Sequence, residues 1–173
     1  MTKRATIRKG FVSIDWLTAD FRYSTELTVN EVASVWDQLR DERHDYFALD
    51  NIYISPISNP AMIMSSYSIG SIKKDMLQIV LLNDPKDTRP RFNTDNLLEW
   101  KDYKVALLID SFMIRGRAHF PSTYTIDYIL HGTRDAFFPV YEAQIIHASA
   151  PAITLESPAV LVNTKHINMI CME

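Results

Sequence analysis

The chain has 173 residues, 47% of them apolar, and its three Trp, eight Tyr and eight Phe are ample for a buried core. A formal charge of −3 removes the strong positive field that steers a protein to nucleic acid or to an anionic membrane, and a single cysteine, Cys171, excludes an internal disulfide. No stretch approaches the roughly 18 uninterrupted apolar residues of a membrane helix, and the opening residues lack the apolar run of a secretion signal, so the expected home is the cytoplasm.

The opening MTKRATIRKG carries Lys3, Arg4, Arg8 and Lys9 and no acid, and reads as a polar lead-in or an edge strand. Phe11 to Ile14 and Trp16 to Tyr23 are rich in β-branched and aromatic side chains and predict a pair of strands turning near Asp15. Thr28-Val29-Asn30-Glu31 fits a capping box, and Val29, Val32, Val35, Trp36 and Leu39 follow at helical spacing, predicting a first helix of about three turns. YFALDNIYIS, AMIMSSYSIG and MLQIVLL then read as three strands, with breaks at Pro56 and Pro60. Asn83 to Asn96 is charged, holds two prolines and reads as a linker. LLEWKDYK, after Thr94 or Asp95 as cap, suggests one helical turn. From Lys104 onward the pattern is two strands, a short helix capped by Thr125 and ended by Gly132, and three more strands.

The second half repeats the first. Lys74 to Val80 lies over Lys165 to Cys171, Phe47-Ala48-Leu49 over Phe138-Pro139-Val140, Thr28-Val29 over Thr125-Ile126, Val32 over Ile129, and Ile14-Asp15 over Ile109-Asp110. The spacing between matched residues changes only at turns and at the end of the first helix, as duplication followed by loop drift would leave it. The expected organisation is therefore a first copy over 1–82, a linker over 83–96 and a second copy over 97–173.

The order strand, strand, helix, strand, strand, strand resembles the small bent barrel of the Sm-like kind. Gly116 inside the second strand of the later copy would permit its sharp bend, where the first copy has Ala19. More closely, the second half resembles an uncharacterised bacterial small β-barrel domain family. The residues that carry this are Gly116-Arg117-Ala118-His119-Phe120-Pro121, Phe137-Phe138-Pro139-Val140 and Val162-Asn163-Thr164-Lys165-His166-Ile167. The resemblance spans about Val105 to Ile170 and implies a fold without an activity. The expected fold is thus mainly β with short helices, an α+β chain of two tandem Sm-like small β-barrels, each with a helix between its second and third strands.

Chemistry is harder to place. His119, His131, His147 and His166 fall in the second half and His44 in the first, but none forms a close ligand pair, so no metal and no cofactor is expected. Ser122, Thr123 and Thr125 lack a Gly-x-Ser-x-Gly turn and read as helix capping. Cys171 lies on an apolar strand and reads as buried filler. The only glycines are Gly10, Gly70, Gly116 and Gly132, so there is no Gly-rich phosphate loop. Catalytic residues are not expected.

Arg115, Arg117 and His119 alternate along one strand and share a face, which with Lys165 and His166 makes a candidate binding face. The Lys165-His166 pair is similar to the closing motif of the bacterial Sm-like RNA chaperone, but a helix stands where that family has its uridine-binding loop, and Asp75 lies over His166. The closing strands MLQIVLL and HINMICM have little charge or proline to protect an edge, and Ile167 and Met169 make a candidate assembly edge. The expected function is a non-enzymatic assembly module whose partner is itself or another protein, met through sheet edges. The alternatives are nucleic-acid binding through Arg115, Arg117, Lys165 and His166, and a small-ligand pocket between the copies near Trp16, Trp36 and Trp100.

Overall fold

The computed structural model describes residues 9–30, 34–41, 43–88, 99–129 and 136–173. Ten antiparallel strands make one sheet: β1 (Lys9–Leu17), β2 (Phe21–Asn30), β3 (Tyr46–Pro56), β4 (Ser65–Lys73), β5 (Ile79–Leu82), β6 (Trp100–Ile109), β7 (Phe112–Pro121), β8 (Phe137–His147), β9 (Ala150–Asn163) and β10 (Ile167–Met172). Their order across the sheet is β10-β6-β7-β8-β9-β5-β1-β2-β3-β4. Each half therefore runs through the same order, its fifth strand beside its first.

That order corrects the expected pair of closed barrels. To close, β5 would have to pair with β4 and β10 with β9. The far edge of β5 is instead taken by β9, from Ile79 opposite Val162 to Leu82 opposite Ala159, and the sheet stays open with β4 and β10 at its ends. The expected helix of about three turns is also corrected. Residues 21–30 are strand, because β2 pairs with β1 from Lys9 opposite Asn30 to Leu17 opposite Arg22, and that ladder outweighs a local capping pattern at Thr28. Helix α1 covers only Val35–Leu39 and is capped by its own box, with Ser34 Oγ accepting from the Asp37 amide at 3.2 Å while Asp37 Oδ2 accepts from the Ser34 amide at 2.9 Å. Glu31 and Val32 lie outside the described residues.

Other boundaries shift for similar reasons. β1 runs straight through Asp15, whose carboxylate is held from across the hairpin by Arg22 Nη2 at 2.7 Å and by Ser24 Oγ; the chain turns later, where the Thr18 amide donates to Phe21 O at 3.0 Å. Trp100 to Lys104 is strand, not a helical turn. Of the lead-in over 1–10 only Lys9 and Gly10 are described, as the start of β1. Of the linker over 83–96 only 83–88 is described, where a 3-10 turn (Pro85–Thr88) buries Thr88, its Oγ1 3.0 Å from Tyr141 OH. Residues 89–96, His131 and Gly132 lie outside the described residues.

The sheet buries two cores, one on each face of its central strands. Ile79 and Leu81 of β5, with Val160 and Val162 of β9, belong to the second half's core around Leu107, Ile114, Val140 and Ile145. The alternate residues Val80, Leu82, Ala159 and Leu161 belong to the first half's core around Trp16, Val35, Trp36 and Leu49. Successive side chains of a strand point to opposite faces, so a strand apolar at every position is one covered on both sides. All four residues of β5 are buried.

Of the four register shifts among the described strands, two fall at left-handed residues. Asn51 in β3 (φ 49°) and Glu142 in β8 (φ 51°) each sit in the left-handed region where the pairing with the preceding strand shifts register. Opposite the second, Gly116 brings the β8 backbone close: a Cβ there would stand 2.6 Å from Tyr141 O and 2.6 Å from Val140 Cγ1.

Candidate assembly interface

Arg115, Arg117 and His119 do share the outer face of β7, while Ile114, Ala118 and Phe120 are buried beneath. The charges of Arg117 and His119 are paired. Asp102 on β6, directly opposite His119, accepts from His119 Nδ1 at 2.9 Å and from Arg117 Nη2 at 3.2 Å. The His119 hydrogen bond, with the Arg117 guanidinium nearby, holds the Asp102 carboxyl below the usual carboxylate range. Trp100 stacks on His119 at 5.3 Å between ring centroids.

Lys165 and His166 lie elsewhere, in a 3-10 turn (Thr164–His166) at the seam between the halves. Lys165 Nζ donates to Asp75 Oδ1 at 2.7 Å, from the matching 3-10 turn Lys74–Met76, and this bond holds the Asp75 carboxyl low. His166 places Nδ1 2.8 Å from Asp110 Oδ2 and Nε2 2.8 Å from Asp75 O. Gln78 Nε2 donates to the same Asp110 oxygen at 2.8 Å. Both nitrogens of His166 thus face acceptors, which leaves neither for a substrate. Asp102 and Asp110 are near opposite ends of β6, roughly 25 Å apart at about 3.3 Å per residue, so the five residues do not form one face.

The three tryptophans do not converge either. Trp16 and Trp36 are both inside the first half's core, and Trp100 is half-exposed on β6. Thr125 caps as expected, its Oγ1 accepting from the Tyr128 amide at 3.1 Å. Cys171 is exposed, not buried filler. Sequence reasoning gave His147 no role; its Nε2 donates across the seam to Ala19 O at 3.0 Å and its Nδ1 contacts Ser149 Oγ at 2.7 Å. Only the fold brings residues that far apart in sequence together. Among the described residues no group of three His, Cys, Asp or Glu is placed to hold a metal ion. Nor is any described helix long and apolar enough to cross a membrane.

The two ends of the sheet are different. Of the two closing strands expected to be edges, β5 is central and β10 is an edge. Ile167 is partly buried against its own half's core, whereas Met169 is 51% exposed. Leu108, opposite Met169 on β6, is 43% exposed. At the other end β4 carries one charge in SSYSIGSIK, and its Ile69 is 74% exposed. Beside β4 opens a cleft of about 480 Å³, lined chiefly by apolar residues that include Tyr23, Leu49, Ile52, Gly70 and Ile72.

No family model matches the chain, and neither a curated protein nor a solved structure is similar to it.

Proposed function

We propose that this protein is an assembly module that recruits a protein partner by strand addition at the ends of its sheet. One observation carries the reading: both end strands present an unpaired edge among the described residues, β10 mostly apolar and β4 rich in serine but with Tyr67, Ile69 and Ile72 and almost no charge. β10 (INMICM) has no charged residue and β4 has one, at its last position. A free edge is a row of unpaired amides and carbonyls, and charges, prolines or bulges are the usual means of keeping it from pairing. Here neither strand holds a proline, the one charge is Lys73, and the one register shift lies at Asn168 of β10. Met169 and Ile69 stand exposed where a partner strand would cover them.

The proposal treats the two halves as copies of one unit. Support comes from the shared strand order, from the left-handed residues Asn51 and Glu142 at like places in β3 and β8, and from the 3-10 turn before each closing strand. Nucleic-acid binding ranks lower, because Asp102 sits between Arg117 and His119 and the seam carboxylates hold Lys165 and His166.

The test is light scattering behind a sizing column at two salt concentrations, with absorbance read at 260 and 280 nm. A mass above the 20.0 kDa of one chain, insensitive to salt and free of excess 260 nm absorbance, is expected. A peak whose extra mass and 260 nm absorbance are both removed by salt would overturn the reading in favour of nucleic acid. A single chain at every concentration, which also recovers no protein partner from its host, would overturn it outright.

A further inference from the structure

We infer that the partner is a second copy of this chain, bound head to tail: β10 and the adjoining face of β6 in one molecule seat on β4 and the cleft beside it in the next. This rests on the assembly reading above and supplies its partner and register.

The model for the contact is already inside the chain. Where β5 meets β9, each half reaches into the other's core. From the first half, Leu17, Ile79 and Leu81 enter the second half's core, and from the second, Ala159 and Leu161 enter the first half's core. The ladder sets Ile79 opposite Val162, Val80 opposite Leu161, Leu81 opposite Val160 and Leu82 opposite Ala159.

The outer strands repeat both sides of this joint. β10 lies against β6 as β5 lies against β1, with Met169 opposite Leu108 where Ile79 is opposite Leu17. This register shifts by one residue the match of Lys74–Val80 with Lys165–Cys171 expected from sequence, and sets Asp75 against Lys165, not His166. The faces agree: Val80 and Ile170 are both buried in their own half's core, so Ile79 and Leu81, like Met169 and Cys171, point the other way. The difference is cover. Leu17 and Ile79 are 0% exposed, while Leu108 and Met169 are 43% and 51% exposed.

β4 lies against β3 as β9 lies against β8, and each is followed directly by its 3-10 turn. Counted from those turns, Gly70 and Ile72 stand where Val160 and Val162 do, Ile69 stands where Ala159 does, and the polar Ser71 stands where the buried Leu161 does. Ala159 is fully buried by the other half, and Ile69 is 74% exposed.

The cleft follows from the same correspondence. Its Tyr23, Leu49, Ile52, Gly70 and Ile72 match Ile114, Val140, Ala143, Val160 and Val162, which are the second-core residues that surround the inserted Leu17, Ile79 and Leu81. In the second half that space is filled by the half before it. In the first half it is open, and Leu108, Met169 and Cys171 of another copy are the side chains whose positions match the filling. The register this gives is Met169 opposite Ile72, Ile170 opposite Ser71, Cys171 opposite Gly70 and Met172 opposite Ile69. A contact that joins two unlike surfaces leaves one of each free at the ends, so it propagates until it closes as a ring or runs on as a filament.

Two capped variants test this. Ile69→Lys blocks β4 and leaves β10 intact, while Met169→Lys blocks β10 and leaves β4 intact. Both positions are exposed, so each variant should keep the circular dichroism spectrum of the parent; Ser71→Glu and Cys171→Glu serve as second caps if one does not fold. Light scattering should give an oligomer for the parent, a single 20.0 kDa chain for each variant alone, and a discrete species of twice that mass when the variants are mixed. A β4-capped variant that still dimerises alone would show β10 pairing with β10, and a β10-capped variant that dimerises alone would show β4 pairing with β4. Either result, or caps that leave the parent's mass unchanged, overturns the head-to-tail contact while leaving assembly standing. A parent that is a single chain throughout overturns this contact, and one that then recovers a different protein leaves only the broader reading in place.

Discussion

Gly116 gives the sharpest test of how closely β7 and β8 approach. Replacing it by alanine puts a methyl group 2.6 Å from a backbone oxygen, Tyr141 O, and 2.6 Å from Val140 Cγ1, so the β7–β8 pairing must open at the Glu142 bulge to admit it. Forcing a methyl into a packed site costs about 1–3 kcal/mol. Alanine's advantage over glycine in an extended strand offsets about 0.5–1 of that, which leaves a net loss centred on about 1 kcal/mol and at most about 2.5 kcal/mol, or a fall in Tm of roughly 2–4 °C per kcal/mol for a chain of this length. Gly70→Ala is the control. There the near atom is Ile52 Cδ1 at 2.5 Å, the end of a side chain that can rotate into the cleft, and the expected change is within about 0.5 kcal/mol. Urea unfolding followed by Trp fluorescence, in the Met169→Lys background so that self-association does not enter, measures both. A Gly116→Ala protein as stable as its parent, or a Gly70→Ala loss as large as that of Gly116→Ala, would refute the account of close strand approach.

Two further changes probe the seam. Leu161 is fully buried on the first half's side of β9, so Leu161→Ala should cost about 2–5 kcal/mol, whereas Leu108→Ala, at a half-exposed position, should cost under about 1 kcal/mol in the monomeric background; comparable losses would mean that β9 is not the shared wall of the two cores. The Asp75–Lys165 bond joins the halves at an exposed place, so a double-mutant cycle should give a coupling of at most about 1 kcal/mol that shrinks in high salt. Because the Lys165 bond lowers the folded-state pKa of Asp75, that contribution is present above the ordinary Asp value of about 4 and is lost as pH falls through the lower folded value. A coupling that persists unchanged to well below that range would contradict the pairing.

Strand content was legible along most of the chain; what covers each strand was not. The two-residue alternation of FMIRGRAHF predicts its faces correctly, with Arg115, Arg117 and His119 outward, because burial of one face is written in every second residue. The start of the first helix is ambiguous in sequence because Thr28-Val29-Asn30-Glu31 and Ser34-Val35-Trp36-Asp37 both fit a capping box, and only the pairing of β2 along its whole length decides between them. Pairing also overturns the comparison of Gly116 with Ala19. By register the residue in the first half that stands as Gly116 does is Thr25, and Ala19 lies in the turn. The two hairpins keep the same spacing, Leu17 opposite Arg22 matching Leu108 opposite Met113, so no loop insertion sets Ala19 against Gly116. Candidate residues grouped by charge, such as Arg115 with Lys165, were drawn from positions that the sheet sets far apart, and their acidic partners Asp102, Asp75 and Asp110 come from other strands and turns.

The two closing strands show where the missing information lay. MLQIVLL and HINMICM look equally unprotected, yet Ile79-Val80-Leu81-Leu82 is apolar at four successive positions, while β10 is broken by Asn168 and carries Met169 and Cys171 on its outward face. A strand covered on one face needs apolar residues only at alternate positions, and a strand covered on both needs them throughout. The unbroken run in β5 therefore marks it as a strand covered on both faces. In β10 the outward positions hold an unbranched thioether and a thiol, side chains that pack against apolar surface yet tolerate water, where β5 has Ile79 and Leu81. A strand that had to be permanently covered would gain from branched side chains there, and one permanently exposed would gain from charge. Met169 and Cys171 satisfy neither demand fully, a composition compatible with the proposed pairing of this edge.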